Sequence, residues 1–189
     1  PSEGVNPAGP RDSGEDSGSE TQVNRMDAIA TRNLTKVYRG HMGRGGVKSL
    51  DALNLTIAPN EVFGFLGRNG AGKTTTIKLL CSLLRPTDGE AFVMGKDARK
   101  RETRTHIGYL PENPYFYEYL NPRETLDFYG ELEGLSRAQR KAEWERLADL
   151  LDLREIATQR VRGFSKGMRQ RLGFAVALVG DPEVLILDE

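Results

Sequence analysis

An α/β fold is predicted by three features of the chain. A short apolar run, Val62 to Leu66, is followed at once by glycines and a helix-like stretch; capping residues announce successive helices further on; and a second apolar run, Val184 to Leu187, ends in two acids. Strand, glycine loop and helix in that order is the arrangement of a phosphate site. The 189 residues suffice for one domain with a substantial core.

Residues 1–25 are rich in Ser, Gly, Pro and acid, with Val5 and Val23 as their only large apolar side chains. Such a segment buries too little surface to offset its ordering entropy, so it is expected to be a disordered tail, or sequence upstream of a natural start at Met26. The folded domain is expected over 26–189. From Ala28 the pattern turns strand-like, as in Leu53, Leu55 and Ile57 with Asn54 and Thr56 between them. Gly40 to Gly46 reads as a loop between two early strands and Pro59-Asn60 as a turn before the strand Val62 to Leu66. A helix is expected over Lys73 to Leu84, a turn at Pro86 to Gly89, and strands near Ala91 to Met94 and at Ile107 to Leu110.

The middle of the chain is helical in character. Asn121-Pro122-Arg123-Glu124 supplies an N-cap, a proline at the first helical position and a glutamate three residues after the cap. Ser136 to Gln139 repeats the cap logic, with Leu147, Leu150 and Leu151 at helical spacing behind it. A third helix is expected from Lys166 to Val179, and Val184 to Leu187 as a buried strand. These place a helical subdomain at about 113–178.

Composition excludes several function classes. Lys plus Arg and Asp plus Glu balance at 27 each, so no global charge favours nucleic acid, and any anion must be held by a local site. The single cysteine, Cys81, fits a reducing compartment. No run approaches the roughly 18 consecutive apolar residues that span a bilayer, Leu172 to Val179 being the nearest. The start of the chain lacks the zones of a signal peptide.

The chemistry lies in two segments. Gly67-Arg68-Asn69-Gly70-Ala71-Gly72-Lys73-Thr74 has the P-loop spacing, in which glycines let the backbone curl until successive N–H groups face phosphate oxygens. Lys73 is placed to reach the β- and γ-phosphates of ATP, the Thr74 hydroxyl to ligate Mg²⁺, and Thr75 follows inside the same site. Val184 to Leu187 ends in Asp188, placed to hold Mg²⁺, and Glu189, placed to polarise the water that attacks the γ-phosphate. The pair says nucleotide hydrolysis without choosing a family.

Phe164-Ser165-Lys166-Gly167-Met168, followed by Arg169-Gln170-Arg171, makes the choice, because it resembles the signature of ATP-binding cassette (ABC) ATPases. The resemblance covers about Ala28 to Glu189 and implies a P-loop NTPase fold with a RecA-like parallel sheet core, an N-terminal antiparallel β subdomain and an α-helical subdomain. It implies that Phe164 to Met168 bind ATP held by a second copy, so a homodimer is expected. Tyr38 is placed like the aromatic on which adenine stacks. Ile107-Gly108-Tyr109-Leu110-Pro111-Glu112 resembles the Q-loop, with Glu112 where glutamine is usual; Glu112 keeps an oxygen for Mg²⁺ but adds charge near the triphosphate. The aromatic run Tyr115 to Tyr119 follows where the family receives a membrane subunit.

These variants look most like ATPase subunits of bacterial multidrug and ABC-2 type exporters. The implied partner is a transmembrane permease, separate or fused, which would hold the domain on the cytoplasmic face of the plasma membrane, and no nucleic acid is expected. Soluble relatives that maintain chromosomes insert a long coiled coil between P-loop and signature; the stretch from Lys73 to Ser165 has no heptad run. The family's D-loop and switch histidine come after the position of Glu189, and neither His41 nor His106 can replace the latter, so the chain as given is expected to be a catalytically incompetent fragment.

Overall fold

The computed structural model describes residues 27–40 and 46–188, so the expected tail, most of the Gly40 to Gly46 loop and Glu189 lie outside the described residues. Four strands near the N-terminus form one antiparallel sheet: β1 (Ile29–Arg39), β2 (Gly46–Ile57), β3 (Asp88–Val93) and β4 (Lys96–Asp97), in the order β2-β1-β3-β4. The register pairs Ile29 with Ile57 and with Val93, which puts three buried side chains on one face. Thr31 is buried in the same ladder, yet its hydroxyl is satisfied on both counts. It donates to the Leu53 carbonyl at 2.9 Å and accepts from the Leu55 N–H at 2.9 Å.

Beneath this sheet lies α1 (Lys73–Leu80), which buries Ile77, Leu79 and Leu80. They join Leu34, Leu50, Val93, Val184 and Ile186 in one core. The helix is shorter than the expected Lys73 to Leu84. Ser82 turns left-handed with φ 57°, and the N–H groups of Leu83 and Leu84 both fold back onto the Lys78 carbonyl, which ends the helix as an αL cap does. Met94 also leaves its expected strand, at φ 48° in the turn between β3 and β4.

β5 (Ile107–Leu110) and β6 (Val184–Leu187) pair in parallel, Ile107 with Val184 through Leu110 with Leu187. Among the described residues the parallel core is these two strands, because the expected strand Val62 to Leu66 does not form. Val62 and Leu66 are almost fully exposed, and a cavity of about 330 Å³ lies between Phe63 and Phe65 on one side and Leu185 and Leu187 on the other. Across such a gap no ladder hydrogen bond closes, and an unpaired extended segment is not a strand. The same opening corrects the expectation that β6 is buried throughout: Val184 and Ile186 are, while Leu185 and Leu187 are 40% and 44% exposed.

The helices build a second core. α2 (Pro122–Leu132) and α3 (Arg137–Leu150) each begin with a complete capping box, Asn121 with Glu124 and Ser136 with Gln139. α4 (Lys166–Ala177) is capped by Ser165 and stops two residues short of Val179. Phe116, Leu126, Trp144, Leu147, Leu153, Val161, Phe164 and Leu172 are buried together between these helices.

Two glycines join the second core to the parallel strands. A Cβ on Gly108 of β5 would stand 2.0 Å from the Ala177 carbonyl oxygen, and one on Gly173 of α4 would stand 2.6 Å from a Leu110 methyl. Only hydrogen fits at Gly108, because the obstacle is backbone. Gly108→Ala is expected to lower stability by about 2–3 kcal/mol. The control Gly64→Ala, with nothing within 4 Å of its Cβ, is expected to stay within about 1 kcal/mol of the parent. Urea unfolding of the two variants beside the parent checks both values.

Candidate functional site

The glycine loop leads into α1 through two left-handed residues, Gly70 at φ 83° and Gly72 at φ 90°, and the Ala71 N–H closes a turn onto the Arg68 carbonyl at 3.0 Å. Gly72 is the N-cap of α1 and is pressed against β2: a Cβ there would come within 2.5 Å of the Ser49 carbonyl oxygen. The curl therefore requires glycine on two independent grounds. The Lys73 ammonium lies inside it, donating to the carbonyls of Gly67 at 2.7 Å and Arg68 at 3.3 Å. α1 has no acid in its first turn, so its positive end is uncompensated by its own side chains.

Next along α1, Thr75 and Thr76 turn inward. The Thr76 hydroxyl donates to the Gly72 carbonyl at 3.0 Å and tightens the first turn. The Thr75 hydroxyl meets that of Ser49 at 2.8 Å and that of Tyr38 at 3.5 Å. Tyr38 thus meets the first turn of α1 through its hydroxyl, while the residue stays 41% exposed with the Lys36 ammonium 5.4 Å from its ring centre.

The acids arrive from the parallel strands. Glu112 lies two residues beyond β5 and Asp188 one beyond β6, and parallel pairing carries both to the same edge; the Asp188 N–H donates to the Leu110 carbonyl at 2.9 Å. Ligands of open α/β sheets bind outside this carboxyl edge. Here the edge faces the start of α1 across a cavity of about 350 Å³, lined by Ser49, Asn69, Gly70, Gly72, Lys73, Thr74, Thr75, Glu112 and Asp188. Eight of these residues were expected from the sequence, and they converge from three separated segments. Ser49 was not singled out in the sequence, since it sits in an ordinary strand and only the fold brings it to Thr75.

Other candidates lie elsewhere. Gly67 and Arg68 form the outer limb of the loop and meet Lys73 through their carbonyls; Ala71 makes the turn. None of the signature residues lines the cavity. Ser165 caps α4 by accepting from the Met168 N–H at 3.3 Å, and Lys166 and Gly167 are exposed beside it. Phe164 is buried in the helical core, so its side chain anchors the segment and is not offered to a ligand.

Behind the acids lie two further groups. The Tyr109 hydroxyl donates to Asp188 Oδ2 at 3.4 Å, and burial, with the Asp188 charge next, pushes the Tyr109 hydroxyl up to about 12. The Cys81 thiol is pushed up to about 12 as well, first by burial and then by the same carboxylate.

Residues 50–189 match the protein family described as ABC transporter. An ABC transporter ATP-binding protein of Synechocystis is 40% identical over 168 residues, 87% of this chain and 48% of its own length. The bacitracin transport ATP-binding protein BcrA of Bacillus licheniformis is 40% identical over 163 residues, 85% of this chain and 50% of its own. The chain thus spans about half the length of these relatives. Among solved structures, the ATP binding subunit of an ABC transporter superposes with a TM-score of 0.74 at 27% identity, over 86% of this chain and 66% of that one. The dimeric bacterial ABC transporter cassette MJ0796, at 24% identity, shares the fold with a TM-score of 0.75 over 85% of this chain and 73% of that one.

The raised Cys81 value fixes the sign of one pH effect. Unfolded chains release the thiol proton near the ordinary value of 9.0, folded ones near 12, so between these the folded state binds more protons and stability falls as pH rises. Below pH 9 the contribution is complete. Urea midpoints measured from pH 8 to pH 11 are expected to drop more steeply for the parent than for Cys81→Ala; parallel profiles would contradict it.

Proposed function

The chain belongs to the ABC transporter family, and from that premise we propose that it is the ATP-binding and ATP-hydrolysing part of a transporter, acting as a dimer on a membrane partner. The observation that carries this reading is the convergence on one cavity of Lys73, the uncompensated start of α1 and the two carboxylates at the parallel strand ends. A triphosphate meets a cation and N–H donors on one side, and on the other a site for the metal that its charge requires.

The donor set fits Mg²⁺. The Thr74 hydroxyl and the carboxylates of Glu112 and Asp188 are hard oxygen ligands lining the same cavity, and Mg²⁺ typically takes one or two carboxylates with phosphate oxygens and water. When bound, the metal neutralises charge that develops on the phosphoryl oxygens. Lys73 orients the β- and γ-phosphates, Tyr38 offers its exposed ring to the adenine, and Glu189 takes the proton of the attacking water. Because Ser165, Lys166 and Gly167 are exposed at a helix start away from this cavity, they serve nucleotide held by a second copy of the chain.

The membrane partner docks on the aromatic run. Phe116 is buried, while Tyr115, Tyr117 and Tyr119 are 83%, 43% and 61% exposed, the division an interface needs between anchor and contact. Among the described residues no helix is long and apolar enough to cross a membrane, so a permease or fused membrane domain supplies the path. Export from the cytoplasm, by a multidrug or ABC-2 type transporter, is the direction that the Glu112 and Ser165-Lys166-Gly167-Met168 variants favour.

Two substitutions in the full-length protein test this reading. Lys73→Ala is expected to abolish ATP binding, measured with labelled nucleotide, because the phosphates lose their main cation. Glu189→Gln is expected to keep ATP binding, lower turnover on the order of a hundredfold, and leave an ATP-bound dimer on size exclusion. Undiminished binding by the first variant would sink the nucleotide site; a monomer with parental turnover in the second would remove Glu189 from catalysis.

A further inference from the structure

We infer that Tyr109 is a positioning residue for Asp188: its hydroxyl fixes one carboxylate oxygen, so that the other is presented to the Mg²⁺ of a bound nucleotide. The inference rests on the proposed nucleotide reading of the same cavity. Tyr109 pairs with Ile186 in the parallel ladder, two residues before Asp188, and strand side chains lean along the strand direction. Its ring is packed against the core that holds Ile77, Cys81 and Ile186, and from there the hydroxyl reaches Asp188 Oδ2 at 3.4 Å. This is the carboxylate's only side-chain hydrogen bond among the described residues. Lys73, which lines the same cavity, is turned to the Gly67 and Arg68 carbonyls.

The arrangement suits a metal ligand. A free aspartate samples several rotamers, and holding one of them costs entropy on every binding event. A neutral donor removes that cost without cancelling the charge that attracts the cation, which a lysine or arginine in its place would do. The backbone is fixed as well, through the Asp188 N–H on the Leu110 carbonyl at 2.9 Å, so carboxylate and main chain are both referred to β5. Because Glu112 follows on the same segment, β5 sets the spacing of both acids.

The test uses the full-length protein and a fluorescent ATP analogue, titrated with Mg²⁺ present and with EDTA. Tyr109→Phe keeps the ring and removes only the donor. It is expected to raise the Mg²⁺ concentration for half-maximal effect about 5- to 10-fold, the loss of one hydrogen bond to a charged group, and to leave the affinity in EDTA within about twofold. The same change in an Asp188→Ala background, which has no acceptor left for the hydroxyl, is expected to have no further effect, and because both arms of that cycle carry the Phe, any packing loss cancels. A parental Mg²⁺ response in Tyr109→Phe, or an equal loss in the Asp188→Ala background, overturns the positioning role alone. Parent binding that Mg²⁺ does not strengthen and that Lys73→Ala does not weaken overturns the nucleotide reading, and this inference with it.

Discussion

Everything in the site depends on one pairing, the parallel ladder between β5 and β6. Parallel strands have their carboxyl ends at the same edge, so an acid placed shortly after each must meet the other. Had the pair been antiparallel, Glu112 and Asp188 would stand at opposite ends and only one could face α1. The ladder is short, Ile107 to Leu110 against Val184 to Leu187, and it survives because α4 presses on it closely enough to require glycine at 108 and 173. Sheet register, helix packing and the spacing of the acids are therefore one constraint, written in residues separated by more than sixty positions.

That constraint brings like charges together, which the cavity offsets from the opposite side. Two carboxylates near each other repel, and neither forms an ion pair with a side chain of the described residues. Lys73 and the start of α1 supply positive potential across the gap, but Lys73 is already bonded to two loop carbonyls. A triphosphate alone would add to the negative side. Under the proposed function the balance closes when a divalent cation accompanies the nucleotide, which is a physical reason to treat metal and nucleotide as one ligand there.

Local chemistry was legible in the sequence wherever a few adjacent residues decide the outcome. The caps at Asn121, Ser136 and Ser165 follow from side chains reaching backbone three positions away. The glycine loop follows from φ angles that only glycine adopts without strain. What failed was what depends on distant partners. Val62 to Leu66 has the composition of a strand but no neighbour within bonding reach in the described fold, and strand formation is a property of the pair. Ser49 was missed for the converse reason, since nothing in its immediate sequence marks it and only the sheet carries it to Thr75; Tyr109 stands in the Q-loop stretch, but its contact with Asp188 exists only through the pairing of β5 with β6.

The helical core joins the aromatic run to the segment that leads into α4. Phe116, from the aromatic run, and Phe164, from the segment before Ser165, are buried in the same cluster. The two segments are also stitched by backbone: the Val161 N–H donates to the Leu120 carbonyl at 2.9 Å and the Arg162 N–H to the Glu118 carbonyl at 3.0 Å. Side chains add the Glu118 and Arg169 pair at 3.5 Å, which is worth little in solvent but lies along the same line. Close-packed interiors move as bodies and do not deform continuously. Under the proposed function, a force applied at Tyr115, Tyr117 and Tyr119 is passed to the start of α4 by two hydrogen bonds and a shared core, without passing through the phosphate cavity. Under the proposed function, the surface that feels the permease and the surface that closes on the second copy's nucleotide are two faces of one rigid unit, and the glycine contacts at 108 and 173 are where that unit bears on the strands that hold Glu112 and Asp188.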